Sequence, residues 1–272
     1  MRKFALENLY KFLEIPESEI AKFFDMQLDM DIMKIKKLFY ENEDGFFEFL
    51  ETHYKENYLA KLFIYLNLAV DLYYEYLYKN IDLNIYFDTI SDFKIWIQNC
   101  VKEKGTYGLA EIYWLNEHLR MRIFQLGRLQ FQKREASYLI EKINQTKYKD
   151  LVTNDHFYFV HIPEGDRLSY DLVVDSYLKA IRFFNDEMIF ACESWMLSDR
   201  LGLVFSEYAN IMKFKRDYII FDSNYEENHI QRYLKEDSNL YYRVKQLESE
   251  GVLIGEAYGV CFDYVSVKKG QK

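Results

Sequence analysis

Glu193 and Ser194 stand directly after an apolar run, Met188 to Cys192, the place from which a strand projects a polar side chain into a cleft. A carboxylate there can accept a proton from an attacking amine as general base, directly or through water, and the neighbouring hydroxyl can hydrogen-bond the substrate. Ser194 has a second reading as a helix cap, because a short helical-looking stretch follows it. His161 titrates near neutrality and is a further candidate base. It alternates onto the same face as Phe157 and Phe159, which favours a buried, hydrogen-bonded histidine over a catalytic base. Pro163, Glu164, Gly165, Asp166 and Arg167 follow it as a turn that reads either as a phosphate or substrate cradle or as an ordinary strand-to-helix connection facing water. Cys192 adjoins Glu193 but has no neighbouring histidine to activate a thiolate, so it reads as a small buried residue. Arg128 lies inside an apolar strand pattern and requires a partner, since an unpaired buried charge is very costly. Its two readings are an ion pair with a front-half carboxylate such as Glu111 and the binding of a substrate anion.

The elements that must hold these residues follow from periodicity. Asp155 to Ile162 alternates as a strand, with Tyr158, Val160 and Ile162 opposite Phe157, Phe159 and His161. Val173, Tyr177, Ala180, Ile181 and Phe184 then recur at helical spacing, and Met188 to Cys192 suits a second buried strand. The result is a strand-turn-helix-strand unit, which sets backbone N–H groups and a helix N-terminus beside the carboxyl end of a strand. From Phe4 to about Arg120 the pattern is helical almost throughout. Tyr58 to Tyr78 is apolar on most sides and predicts the central helix of a bundle, and Thr89 with Asp92 resembles a capping box. Beyond Arg120 the period changes. Arg122 to Gln132 reads as extended, with Gly127 marking a bulge or close approach, and Glu135 to Ile140 reads as a second extended run able to pair with it. Further strands are expected at Asn210 to Phe221 and Val252 to Tyr264, with a polar helix around Glu236 to Glu250. The fold class is therefore α+β, with domains at residues 1–120 and 121–272.

Composition narrows the function classes. The 272 residues are half hydrophobic, with 25 Tyr and 22 Phe but only 10 Gly and 2 Pro, which suits long helices and a sizeable core. A net charge of -9, of which residues 1–120 carry -7, argues against a nonspecific nucleic-acid binder. Lys133, Arg134, Lys142, Lys147 and Lys149 form a local basic patch that reads as a solvated face. Cys100, Cys192 and Cys261 are odd in number and widely spaced, which fits neither a disulfide framework nor a zinc site and suits a reducing cytoplasm. The apolar run Leu62 to Val70 is too short to span a membrane. Trp114, Trp195 and the tyrosines Tyr73, Tyr74, Tyr76 and Tyr78 read mainly as packing.

Several segments carry a likeness: Trp114-Leu115, Arg122-Ile123-Phe124, Leu126 to Phe131 (LGRLQF), His161 to Gly165 (HIPEG), Ser194 to Ser198 and Asn210 to Phe214. Together they resemble a family of bacterial acyltransferase-domain proteins with a helical N-acyltransferase-type N-terminal domain packed on a GNAT-like C-terminal domain. The resemblance implies that the strands ending at Ile162 and near Glu193 splay apart to admit acyl-CoA or acetyl-CoA. It also implies that the turn and helix start between them hold the cofactor pyrophosphate, and that a small-molecule amine is the acceptor. The sequence departs from the pattern at two places. Such enzymes usually carry Arg or Gln followed by Gly-x-Gly or Gly-x-Ala, where this chain has only Gly165 between Glu164 and Asp166, and the family more often has histidine where Glu193 stands. Two functions therefore remain open: an N-acyltransferase acting by direct attack, and a catalytically inactive GNAT-derived binding or scaffolding protein.

Overall fold

A computed structural model of the protein describes residues 4–149, 156–186 and 188–261. Its contacts divide the chain into two compact units between Phe124 and Gln125.

The first unit is helical: α1 (Leu6–Phe12), α2 (Glu17–Asp29), α3 (Ile32–Glu41), α4 (Glu43–Tyr54), α5 (Tyr58–Tyr78), α6 (Leu83–Ile90), α7 (Asp92–Lys104) and α8 (Ile112–Leu119). Asn57 opens α5 by accepting from the Ala60 amide at 3.0 Å, and Leu62, Ile64, Tyr65, Leu66 and Tyr76 along it are wholly buried. Each such side chain contributes roughly 1.5–3 kcal/mol of burial. The apolar-all-round pattern thus marks the bundle's centre, as expected. Lys61 is the exception on that helix, buried but satisfied by Glu51 and the Lys55 carbonyl, each at 2.9 Å. The proposed capping box does not form: Thr89 is buried inside α6, and Ser91 makes no side-chain cap to α7. Asp92 instead accepts from the indoles of Trp96 and Trp114 at 3.0 and 2.9 Å, with His118 Nε2 at 3.4 Å, so a tertiary network outcompetes the local cap. No described helix is long and apolar enough to cross a membrane.

The second unit is built on a sheet of β1 (Ile123–Leu126), β2 (Leu129–Glu135), β3 (His156–His161), β4 (Phe190–Ser194), β5 (Ile219–Asn224) and β6 (Glu256–Cys261) in the order β1-β2-β3-β4-β6-β5. Helices α9 (Ser137–Asn144), α10 (Tyr170–Phe184), α11 (Asn210–Lys215) and α12 (Asn239–Ser249) complete it. Leu139 and Ile143 of α9 pack with Phe157, Phe159, Ala191 and Val260 on one sheet face. Tyr177 of α10 meets Phe131 and Phe190 on the other, at ring separations of 5.9 and 4.7 Å.

Three extended expectations change here. Arg122 to Gln132 is two strands rather than one, because Gly127, at φ 82°, folds the chain back over a two-residue connection. Only Glu135 of the run Glu135 to Ile140 is strand; Ser137 onward is helical, its apolar residues four apart rather than alternating. The Asn210 to Phe221 segment begins as α11, which buries Ile211 and Phe214, and becomes strand only at Ile219. Strand β4 lies two residues later than Met188 to Cys192, and β6 is shorter than Val252 to Tyr264, whose last three residues lie outside the described chain.

Candidate active site

The centre of the sheet opens at one end. β3 and β4 run parallel but share only the pairs Tyr158–Phe190 and Phe159–Ala191. β3 nevertheless stays paired with β2 as far as His161, and β4 with β6 as far as Ser194. Each strand therefore keeps its outer neighbour for two or three residues after losing its inner one, which leaves a V-shaped gap between His161 and Glu193.

At the mouth of the gap lies the turn Pro163 to Asp166. Gly127 and Ser176 determine how it is held. A Cβ on Gly127 would lie 2.8 Å from the Ser176 hydroxyl, and that buried hydroxyl accepts from the amides of Arg128 (2.7 Å) and Leu129 (3.3 Å). Arg128, fixed by its backbone, donates to the carbonyls of Pro163 (2.9 Å) and Asp166 (2.6 Å). Its partners are thus turn carbonyls and not Glu111, whose carboxylate caps α8 at the Trp114 amide. Burial lowers the Arg128 pKa, and the nearby Asp166 charge partly offsets this. In a planar trans peptide the N–H opposes the C=O, so with both carbonyls aimed at Arg128 the N–H groups of Glu164 and Arg167 point away from it. Gly165 between them has φ 109° and open space where a Cβ would be. Outward amides around a glycine form a concavity suited to anions. Glu164, Asp166 and Arg167 are exposed around it.

The α9 face of the gap carries the candidate side chains. Alternation puts Phe159 and His161 of β3 and Ala191 and Glu193 of β4 on this face. His161 is half-buried, its Nε2 3.1 Å from Gln132 Oε1. Glu193 is exposed and accepts from the Tyr258 hydroxyl; that bond, followed by burial, drives the phenol pKa well above its ordinary value. Ser194 Oγ accepts from the Met196 amide at 3.1 Å, capping the 3-10 turn Trp195–Leu197. A cavity of about 620 Å³ adjoins Glu193, lined also by Arg134, Glu135, Tyr138, Lys142, Asp222, Asn224 and Tyr258. Cys192 points to the opposite, buried face, and burial pushes its thiol pKa far up, which makes it a poor nucleophile.

Two family profiles cover nearly the whole chain: a GNAT-like C-terminal domain over residues 123–260 and an N-acyltransferase N-terminal domain over residues 5–121. The protein belongs to the two-domain acyltransferase family that these profiles define. No curated protein matches the sequence. Its fold is shared by an acyltransferase solved with decanoyl-CoA and teicoplanin, at 18% identity over 93% of this chain and 86% of that one, with a TM-score of 0.71. An acyltransferase mutant solved with octanoyl-CoA is similarly related, at 17% identity over 94% and 87% of the two chains and a TM-score of 0.71.

Within this GNAT-like domain the structure brings His161, Glu193 and the Pro163–Arg167 turn to one end of one parallel strand pair, while engaging Ser194 in a cap. Sequence reasoning missed Ser176, Tyr138 and Tyr258. Ser176 had a signal, a small polar residue on the apolar stripe of Val173, Tyr177 and Ala180. Tyr138 and Tyr258 had none, since only tertiary packing of α9 and β6 carries them to Glu193. Among the described residues no group of His, Cys, Asp and Glu is arranged to hold a metal ion.

Proposed function

We propose that this protein transfers an acyl group from an acyl-CoA thioester to the amine of a small-molecule acceptor. The observation that carries the reading is the early end of the β3–β4 pairing, which opens the sheet beside a turn whose amides face outward. The turn's Glu164 and Arg167 amides would receive the pyrophosphate, with Arg167 countering the carboxylates of Glu164 and Asp166, and the gap would admit the acyl-bearing arm. The solved relatives bind octanoyl- and decanoyl-CoA, so medium-chain thioesters are the first donors to try.

Glu193 takes the proton from the attacking nitrogen. As the nitrogen–carbon bond forms and the carbon–sulfur bond breaks, the proton passes to the leaving sulfur, giving amide and free thiol with no covalent enzyme intermediate. His161, tied to Gln132, lines the gap. Three buried cysteines outside any disulfide suit a cytoplasmic setting.

The test is a thermal-shift titration with CoA, octanoyl-CoA and decanoyl-CoA, followed by a thiol-release assay with an amine panel. A ligand that binds only the native state raises the melting temperature by mass action. Stabilisation should vanish in Gly165→Trp and survive in Glu193→Gln, while Glu193→Gln should lower kcat by about 100-fold or more. The second reading, a binding module without transfer, draws on the two exposed carboxylates of the turn, which oppose a pyrophosphate. No stabilisation by any thioester would select it.

A further inference from the structure

The cavity beside Glu193 contains a guanidinium arranged for a ligand. Arg134 ends β2, and its guanidinium lies over the Phe159 ring, 3.6 Å from the centroid. The Tyr138 hydroxyl lies close enough for the guanidinium charge to act on it. No acidic side chain among the described residues forms an ion pair with Arg134, whereas the cavity's other cation, Lys142, is paired with Asp222. Stacking holds the guanidinium plane but leaves its edge donors available, and that edge matches a carboxylate in bidentate fashion.

Its position relative to Glu193 follows from the register. Phe159 pairs with Ala191, and Glu193 lies two residues further along β4 on the same face. One strand spacing across and two residues along put the backbone of Phe159, over whose ring the guanidinium lies, about 8 Å from that of Glu193. The Tyr138 hydroxyl is within electrostatic reach of both Arg134 and Glu193, and all three line the cavity. The cavity thus offers a carboxylate, an aromatic wall and a guanidinium with no ion-pair partner among the described residues.

We infer that this cavity is the acceptor subsite and that it selects amines that also carry a carboxylate, the ammonium going to Glu193 and the carboxylate to Arg134. This rests on the acyl-transfer reading for the role of acceptor, but binding can be measured without turnover. Arg134 is a specificity-determining residue in this arrangement, not a catalytic one.

The test is isothermal titration of the full chain, without acyl donor, using 4-aminobutanoate, its carboxamide and butylamine. The amino acid should bind at least 10-fold more tightly than the other two. Arg134→Gln should erase that preference and Arg134→Lys restore part of it, with unchanged melting temperatures in both variants showing that the fold is intact. Equal affinities, no binding at millimolar concentration, or a preference that persists in Arg134→Gln would overturn the assignment. The thiol-release assay separates the two ideas. Arg134-dependent binding without thiol release from any donor sinks acyl transfer and leaves the carboxylate site standing, whereas transfer to amines regardless of their carboxylate does the reverse.

Discussion

Replacing Ser176 by alanine tests the chain of contacts that holds the turn. The hydroxyl is wholly buried, accepts from Arg128 N at 2.7 Å and Leu129 N at 3.3 Å, and donates to Leu172 O at 2.7 Å. Alanine removes the acceptor of both amides, and the buried, shorter-bonded Arg128 amide sets the cost at about 1–3 kcal/mol. Better helix propensity returns roughly half a kcal/mol. The expected net loss is about 2 kcal/mol, a drop of roughly 4–8 °C in the unit's melting temperature. Urea unfolding of the full chain provides the free energy, and thermal shift the temperature. The same geometry predicts coupling with Gly127, because a Cβ there meets the Ser176 hydroxyl at 2.8 Å. Gly127→Ala combined with Ser176→Ala should therefore cost less than the sum of the single changes, while the φ of 82° keeps Gly127→Ala unfavourable by itself. Strict additivity, or a Ser176→Ala loss below about 0.5 kcal/mol, would show that the hydroxyl does not organise the turn.

Acid should erode one contact of the helical unit. The hydrogen bond from Arg122 is the main reason the Glu43 carboxyl is held below its ordinary value of 4.5. A depressed carboxylate contributes stability that is present above the unfolded value and lost as pH falls through the folded one. Glu43→Gln should accordingly flatten the melting-temperature profile below about pH 4.5 and lower its neutral plateau; an unchanged acid limb would refute this. Cys192, with its thiol pKa pushed up by burial, should resist iodoacetamide in the native protein at pH 8 and react once urea unfolds it. Mass mapping of the alkylated peptides reads this directly, and rapid native labelling at Cys192 would contradict its placement. Arg128→Met should reduce acyl-CoA stabilisation more than it reduces the protein's own melting temperature, because Arg128 acts on the turn carbonyls; an equal loss of both would make its role purely structural.

How legible the molecule was depended on the range of the interactions. Helix α5 was read to its ends because a run that is apolar on most sides leaves no alternative to a buried helix. The strand-turn-helix-strand unit was read because periods of two and of three to four alternate cleanly from Phe157 to Phe184. Glu135 to Ile140 failed because six residues hold too little periodicity to separate helix from strand, and only the packing of Leu139 and Ile143 decides. Arg128 was recognised as needing a partner, but main-chain carbonyls 35 and 38 residues away have no sequence signature. The same limit hid Tyr138 and Tyr258.

The short parallel ladder has a mechanical meaning of its own. The six strands behave as two three-stranded leaves, β1-β2-β3 and β4-β6-β5, each antiparallel within its described pairings and bound to the other along a two-pair spine. Widening the sheet at that seam gives up few backbone hydrogen bonds, whereas widening it at β2–β3 gives up a ladder of six pairs. The leaves are therefore joined mostly by side chains that bridge the seam, Leu139 and Ile143 on one face and Tyr177 on the other, so core packing more than strand pairing sets the aperture of the cleft.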